Sequence, residues 1–140
     1  MNTSDEIYPM PSFPILNATD LAASSRWYQE ALGFRHIFTM DGPGGVPLLV
    51  HLRWVKYADL LLGARPAEPG KRGAGVTLSF SAYLAGRTVD EIAARAEVHG
   101  AHIAGPPADM PWQAREGPME DAERYRVHFT ETMNMNRKCD

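Results

Sequence analysis

The sequence predicts an α+β chain made of two similar halves, each a strand, a helix and then several strands. Three observations carry this reading. Two helix patterns, "TDLAASSRWYQEALGF" and "TVDEIAARAEVHG", each open on a capping residue and meet a glycine at the far end. Each follows a short apolar strand pattern and leads into further strand patterns. Between the halves lies "ARPAEPGKRGAG", Ala64 to Gly75, rich in Gly, Pro and charge and with no apolar residue larger than alanine or proline.

In the first half, "FPILNA" is the opening strand, with Pro14, Leu16 and Ala18 on one face and Phe13, Ile15 and Asn17 on the other. The helix follows, capped by Thr19 or Asp20, with Leu21, Ala22, Ala31 and Leu32 at helical spacing and Trp27 in the middle of the pattern. Gly33 supplies its stop. "FRHIFTM", "VPLLVHLRWV" and "ADLLLGA" are then strands joined by turns, "DGPGG" among them. In the second half, "VTLSFSAY" sets Val76, Leu78 and Phe80 against Thr77, Ser79 and Ser81. Its helix starts at a capping box, Thr88 to Glu91, and stops at Gly100. "AHIAG" and "RYRVHFTE" are strands, and "EDAER" between them reads as a solvated turn. In each half the more apolar strand face packs under the helix, and the smaller, more polar face lines a concavity where a ligand sits.

The chain has 140 residues, within the usual range for one domain. Hydrophobic residues at 44% and charged residues at 22% are globular proportions, and the net charge of −3 offers no basic stripe, so nucleic acid is not an expected partner. One cysteine, Cys139, excludes an internal disulfide and a Cys-based zinc site, which fits a reducing cytoplasm. No apolar run approaches the ~20 residues that cross a bilayer, so no membrane partner is expected.

The order "PILNATDLAASSRWYQEALGF", a strand pair ending "ADLLL", then "TVDEIAARAEVHGAHIAGPPADMPWQAREG" and a closing "YRVHF" resembles the vicinal oxygen chelate superfamily of glyoxalases, extradiol dioxygenases and bleomycin resistance proteins. The likeness runs from about Phe13 to Glu131. It implies paired βαβββ modules that curve an eight-stranded mixed sheet around a cleft, commonly in a homodimer. On that basis residues 1–12 are a lead-in, 13–64 the first module, 65–75 the linker, 76–131 the second module and 132–140 a flexible tail that includes Cys139. Metal-dependent members draw ligands from the first and last strands of each half. The corresponding positions here are Phe13, then Asp59 or Leu61, then Gly75 or Val76, and His128. At most two of these coordinate a metal, so neither a metal nor any other cofactor is expected.

"PWQARE" before "RVHF", and the apolar opening strand with Pro14, are most similar to the bleomycin resistance proteins, which bind an antibiotic without transforming it. The "EDAERY" stretch departs from the family's Asp-Pro-x-Gly turn. The expected ligand-binding residues are Phe13, Phe38, His51, Trp54, Trp112 and His128, with no catalytic and no metal-binding residue. Trp112 stands out because a Pro-rich loop gives a bulky aromatic no core to join. His51 and Arg53 share one strand face and Trp54 lies opposite, so both faces cannot line the pocket. Arg115 and Glu116 either pair with each other or are solvated. The expected function is non-enzymatic binding of an antibiotic-like natural product. The alternative is a metal-dependent lyase, isomerase or dioxygenase using a divalent metal held by Asp59, His128 and a third ligand such as His51 or Glu116.

Overall fold

The computed structural model describes residues 6–65 and 76–132. Most of the expected linker and tail, with Gly75 and Cys139, lies outside the described residues. The first half runs β1 (Ile15–Ala18), α1 (Leu21–Trp27), β2 (Arg35–Asp41), β3 (Pro47–Arg53) and β4 (Asp59–Ala64). The second runs β5 (Thr77–Ser81), α2 (Val89–Val98), β6 (His102–Ile103), β7 (Ala108–Met110), β8 (Ala114–Glu120) and β9 (Arg126–Thr132).

Each half forms a mixed sheet of the same order, β1-β4-β3-β2 and β5-β9-β8-β6, with β1 parallel to β4 and β5 parallel to β9. The fold is α+β, and within one chain the strands form two sheets, of four and five strands. The extra strand arises because the outer strand of the second half is cut in two: β6 and β7 both pair with β8, and Pro106 and Pro107 lie between them. Proline has no N–H for the ladder.

Asp20 caps α1, accepting from Ala23 N at 3.0 Å. After Trp27 the coil widens into a π-type turn over Tyr28–Leu32, and Gly33 ends it at φ +86°. A side chain at Gly33 meets strain from that φ and also the Arg87 guanidinium, 2.6 Å from where a Cβ would stand. Thr88 caps α2 as expected, accepting from Glu91 N at 3.1 Å.

Leu16, Val50, Leu52, Leu60 and Leu62 of the first sheet, Phe80, Met119, Val127 and Phe129 of the second, and Tyr28, Leu32, Val89 and Ile92 from the helical segments form one continuous buried cluster. Both sheets therefore turn their inner faces toward a shared core, and their other faces look outward. This is the face assignment expected for β1 and β5.

Gly117 lets β8 approach α2 closely. A Cβ there would stand 2.7 Å from Val89 Cγ1, and Val89 is itself fully buried and has little room to yield. Gly117→Ala is expected to cost about 1–2 kcal/mol in urea unfolding, with the same m-value.

The turn between β8 and β9 is not solvated. Asp121 and Glu123 are buried. Asp121 Oδ1 accepts from Glu123 N and Tyr125 N, both at 2.9 Å, and Arg124 N donates to Asp121 O at 3.0 Å with Arg124 at φ +67°. The carboxylate of Asp121 thus organises the turn without a proline or glycine. The turn also joins the halves: Glu123 Oε1 accepts from Thr19 N and Oγ1, and the Tyr28 hydroxyl donates to Asp121 Oδ2 at 2.6 Å.

Candidate functional site

The outward face of the first sheet is set by its register. Phe38 stands opposite His51, His51 opposite Leu61 and Leu61 opposite Ile15, a row that crosses all four strands. A bulge between His36 and Phe38 puts Phe38 there; strict alternation from His36, which pairs with the core residue Leu52, would have turned Phe38 inward. Phe38 is 42% exposed and Ile15 58%, with Phe13 and Met40 exposed to a similar degree. These are exposed apolar side chains on either side of a buried histidine, and exposed apolar side chains grouped on one face mark a binding site or an interface.

At one end of this face is a buried polar cluster. Asp59 Oδ1 accepts from Arg53 Nε at 2.8 Å, and Oδ2 accepts from Arg53 Nη2 at 2.9 Å and lies 2.6 Å from His51 Nε2. The lead-in crosses above it. Arg53 stacks on the Tyr8 ring at 4.2 Å and donates to Glu6 O at 2.7 Å, while the Tyr8 hydroxyl accepts from Tyr57 N at 2.7 Å. The lead-in carried no signal for this in its own residues, because it becomes a cover only through contacts 47 and 49 residues away in the chain.

The outward face of the second sheet is polar. Ser79 stands opposite His128 and His128 opposite Pro118; in the next row Ser81, Thr130 and Glu116 align. Trp112 is not in an irregular loop. It is at the tip of the hairpin joining β7 to β8, where Met110 pairs with Ala114 and Gln113 takes φ +65°. Its ring is 63% exposed, and Nε1 donates to Glu116 Oε2 at 2.8 Å. The other oxygen, Oε1, is 3.8 Å from His128 Nδ1. His128 Nε2 is buried and has no hydrogen-bond partner among the described residues. Arg115 does not pair with Glu116. It donates from Nε and Nη2 to Asp90 and from Nη1 to Asp109, fastening the hairpin to α2, and these hydrogen bonds, Asp90's first, hold its guanidinium proton well above the usual arginine range.

Of the six expected ligand-binding residues, Phe38 and His51 share the first face, with Phe13 exposed just before β1, and Trp112 and His128 share the second. Trp54 is apart from both. It is buried in the core against Phe34, Phe80 and Phe129, and its Nε1 donates to Ser81 O at 2.7 Å. Glu116 was expected as a partner of Arg115, a solvated charge or an alternative metal ligand, yet it stands between Trp112 and His128. The signal available for it was its position two residues from Pro118 on a strand, hidden because "AREGPME" has the composition of a loop. Among the described residues no three of His, Cys, Asp and Glu group as a metal site would need.

Residues 12–129 match the sequence model of the Glyoxalase/Bleomycin resistance protein/Dioxygenase superfamily. The chain belongs to that superfamily. No curated protein matches the chain. Among solved structures, TioX from Micromonospora sp. ML1 aligns at TM-score 0.67 and 21% identity over 86% of this chain and 97% of that one. A glyoxylase/bleomycin resistance protein/dioxygenase domain from Frankia sp. EAN1pec aligns at TM-score 0.70 and 18% identity, covering 93% and 96%. TnmS3, an antibiotic binding protein from Streptomyces sp. CB03234, aligns at 0.65 and 20%, covering 90% and 97%. At these identities the likeness is one of fold. No helix among the described residues is long and apolar enough to cross a membrane.

Proposed function

We propose that the protein binds an aromatic or amphipathic natural product of antibiotic type and releases it unchanged, as a cytoplasmic homodimer. The observation that carries this reading is the contrast between the two outward faces. One presents Phe38, Leu61 and Ile15 around a single histidine; the other presents Glu116, Thr130 and His128 beneath Trp112. Both look away from the shared core, so neither encloses a ligand alone. A second copy that sets its second sheet against the first sheet of this chain makes a cleft with an apolar wall and a polar wall, the composition drug-sized ligands favour. TnmS3, with the same fold and named as an antibiotic binding protein, supports the ligand class. Bleomycin-like glycopeptides are one member of it.

The chemistry of the positions where the family holds a metal supports binding over metal catalysis. Phe13 and Val76 have no donor, and Asp59 already accepts from Arg53 on both oxygens. The proposed reaction is therefore none: reversible burial of the ligand against Trp112 and Phe38.

Titration with bleomycin and a panel of aromatic antibiotics, followed by tryptophan fluorescence, tests this. Saturable binding is expected, with Trp112→Ala weakening it about tenfold, the scale of one aromatic contact. One firmly bound divalent ion per chain, lost in His128→Ala, would overturn the reading in favour of a metal-dependent enzyme.

A further inference from the structure

The buried cluster at the end of the first face fixes the chemistry of His51. Resting on the binding function proposed above, we infer that His51 is a hydrogen-bond acceptor of fixed tautomer, and that it selects aromatic ligands carrying a phenolic or similar hydroxyl on the ring edge.

The argument begins with Asp59. Arg53 approaches both of its oxygens with N–H groups, at 2.8 and 2.9 Å, and guanidinium nitrogens only donate. Both carboxylate oxygens are thereby acceptors, and the side chain is 1% exposed, so no other donor competes there. His51 Nε2 stands 2.6 Å from Oδ2, which requires that Nε2 carry the hydrogen. In the neutral ring Nδ1 is then the acceptor, and the ring's hydrogen bond among the described residues is the one from Nε2 to Asp59.

The ring's surroundings supply the rest. Its neighbours across the strands are Phe38 and Leu61, with Ile15 beyond, so a ligand that reaches Nδ1 lies on an apolar floor. A flat apolar body with one donor at its edge fits that arrangement; a carboxylate or phosphate, which offers only acceptors, does not. Arg53 and Asp59 act through His51 and are positioning residues.

Two measurements test this. Long-range ¹H–¹⁵N correlation spectra of the free protein at pH 8 report the tautomer directly, and the Nε2–H form is expected at His51. Titration with 1-naphthol and with 1-methoxynaphthalene, which keeps the ring but lacks the donor, reports the selection. Naphthol is expected to bind roughly 5-fold more tightly, the worth of one net hydrogen bond, and His51→Phe to abolish that preference, with the two probes then binding equally. An Nδ1–H tautomer overturns the inference whatever binds. Equal affinity for the two probes overturns it and leaves the binding function standing. If neither probe binds, the binding function fails for aromatic ligands and the inference falls with it.

Discussion

Trp54→Ala is expected to cost about 3–5 kcal/mol of stability, the range for removing a large aromatic from a close-packed core. Trp54 follows β3 and is the meeting point of the two halves. Its ring contacts Phe34 at 5.2 Å from the segment after α1, and Phe129 at 5.0 Å and Phe80 at 6.5 Å from the second sheet. The Arg87 guanidinium lies 5.0 Å from its centroid, and its N–H satisfies the Ser81 carbonyl across the interface. Truncation would open a cavity bounded by residues of both sheets, and neither can collapse into it without shifting its own strands. Trp54→Phe keeps much of the volume and loses the hydrogen bond, so a smaller cost of about 1–2 kcal/mol is expected. Urea unfolding separates these values. A Trp54→Ala protein as stable as the parent but impaired in ligand binding would return Trp54 to the cleft wall.

The two-half organisation was legible because it rests on local chemistry. A cap such as Asp20 or Thr88 and a stop such as Gly33 act within one helical turn, and the alternation of Leu16 and Ala18 with Ile15 and Asn17 follows from the pleat. That His51 and Arg53 share a face with Trp54 opposite also follows from alternation alone. Which face is inward does not, because it depends on the second sheet supplying Phe80 and Phe129 to receive Trp54.

The features hidden from the sequence share a cause: a long-range partner reverses the meaning of a local composition. "AREGPME" has the charge, glycine and proline of a loop, yet Gly117 is there to admit Val89, and Pro118 sits where its carbonyl accepts from Ala104 N. "EDAER" has the charge of a solvated turn, yet Thr19 and Tyr28 from the other half meet its carboxylates. The bulge that turns Phe38 outward likewise leaves no mark in "FRHIFTM". In the candidate site, the six residues expected from sequence divide among two faces and the core, and the residues that join them, Asp59 and Glu116, were visible as alternative metal ligands or, for Glu116, as a partner of Arg115.

The buried contact between Tyr28 and Asp121 is expected to make stability depend on pH in an unusual direction. Burial raises the Asp121 carboxyl above its ordinary value of 3.8; the hydrogen bonds from Tyr28, Tyr125 N and Glu123 N oppose that shift without cancelling it. The Tyr28 hydroxyl, pushed well above its ordinary range by burial and by the neighbouring carboxylate, remains a donor. Between pH 3.8 and the raised folded value, the folded chain binds more protons at Asp121 than the unfolded chain does. The contribution of this group to stability therefore falls as pH rises through that window, the reverse of a salt-bridged carboxylate. Asp121→Asn is expected to remove this contribution, because the amide oxygen still accepts from the two backbone N–H groups and the amide N–H₂ can donate to Tyr28. Tyr28→Phe leaves the carboxylate buried with one donor fewer and is expected to cost about 2–3 kcal/mol at pH 7, and less near pH 4. Combining the two substitutions should recover only part of that loss, since asparagine removes the buried charge but its N–H₂ then lacks the Tyr28 oxygen as an acceptor. Denaturation midpoints of the parent, the two single variants and the double variant at pH 4 and pH 7 check all four expectations. A Tyr28→Phe cost that is larger at pH 4 than at pH 7 would show that the hydroxyl serves the neutral acid rather than the carboxylate.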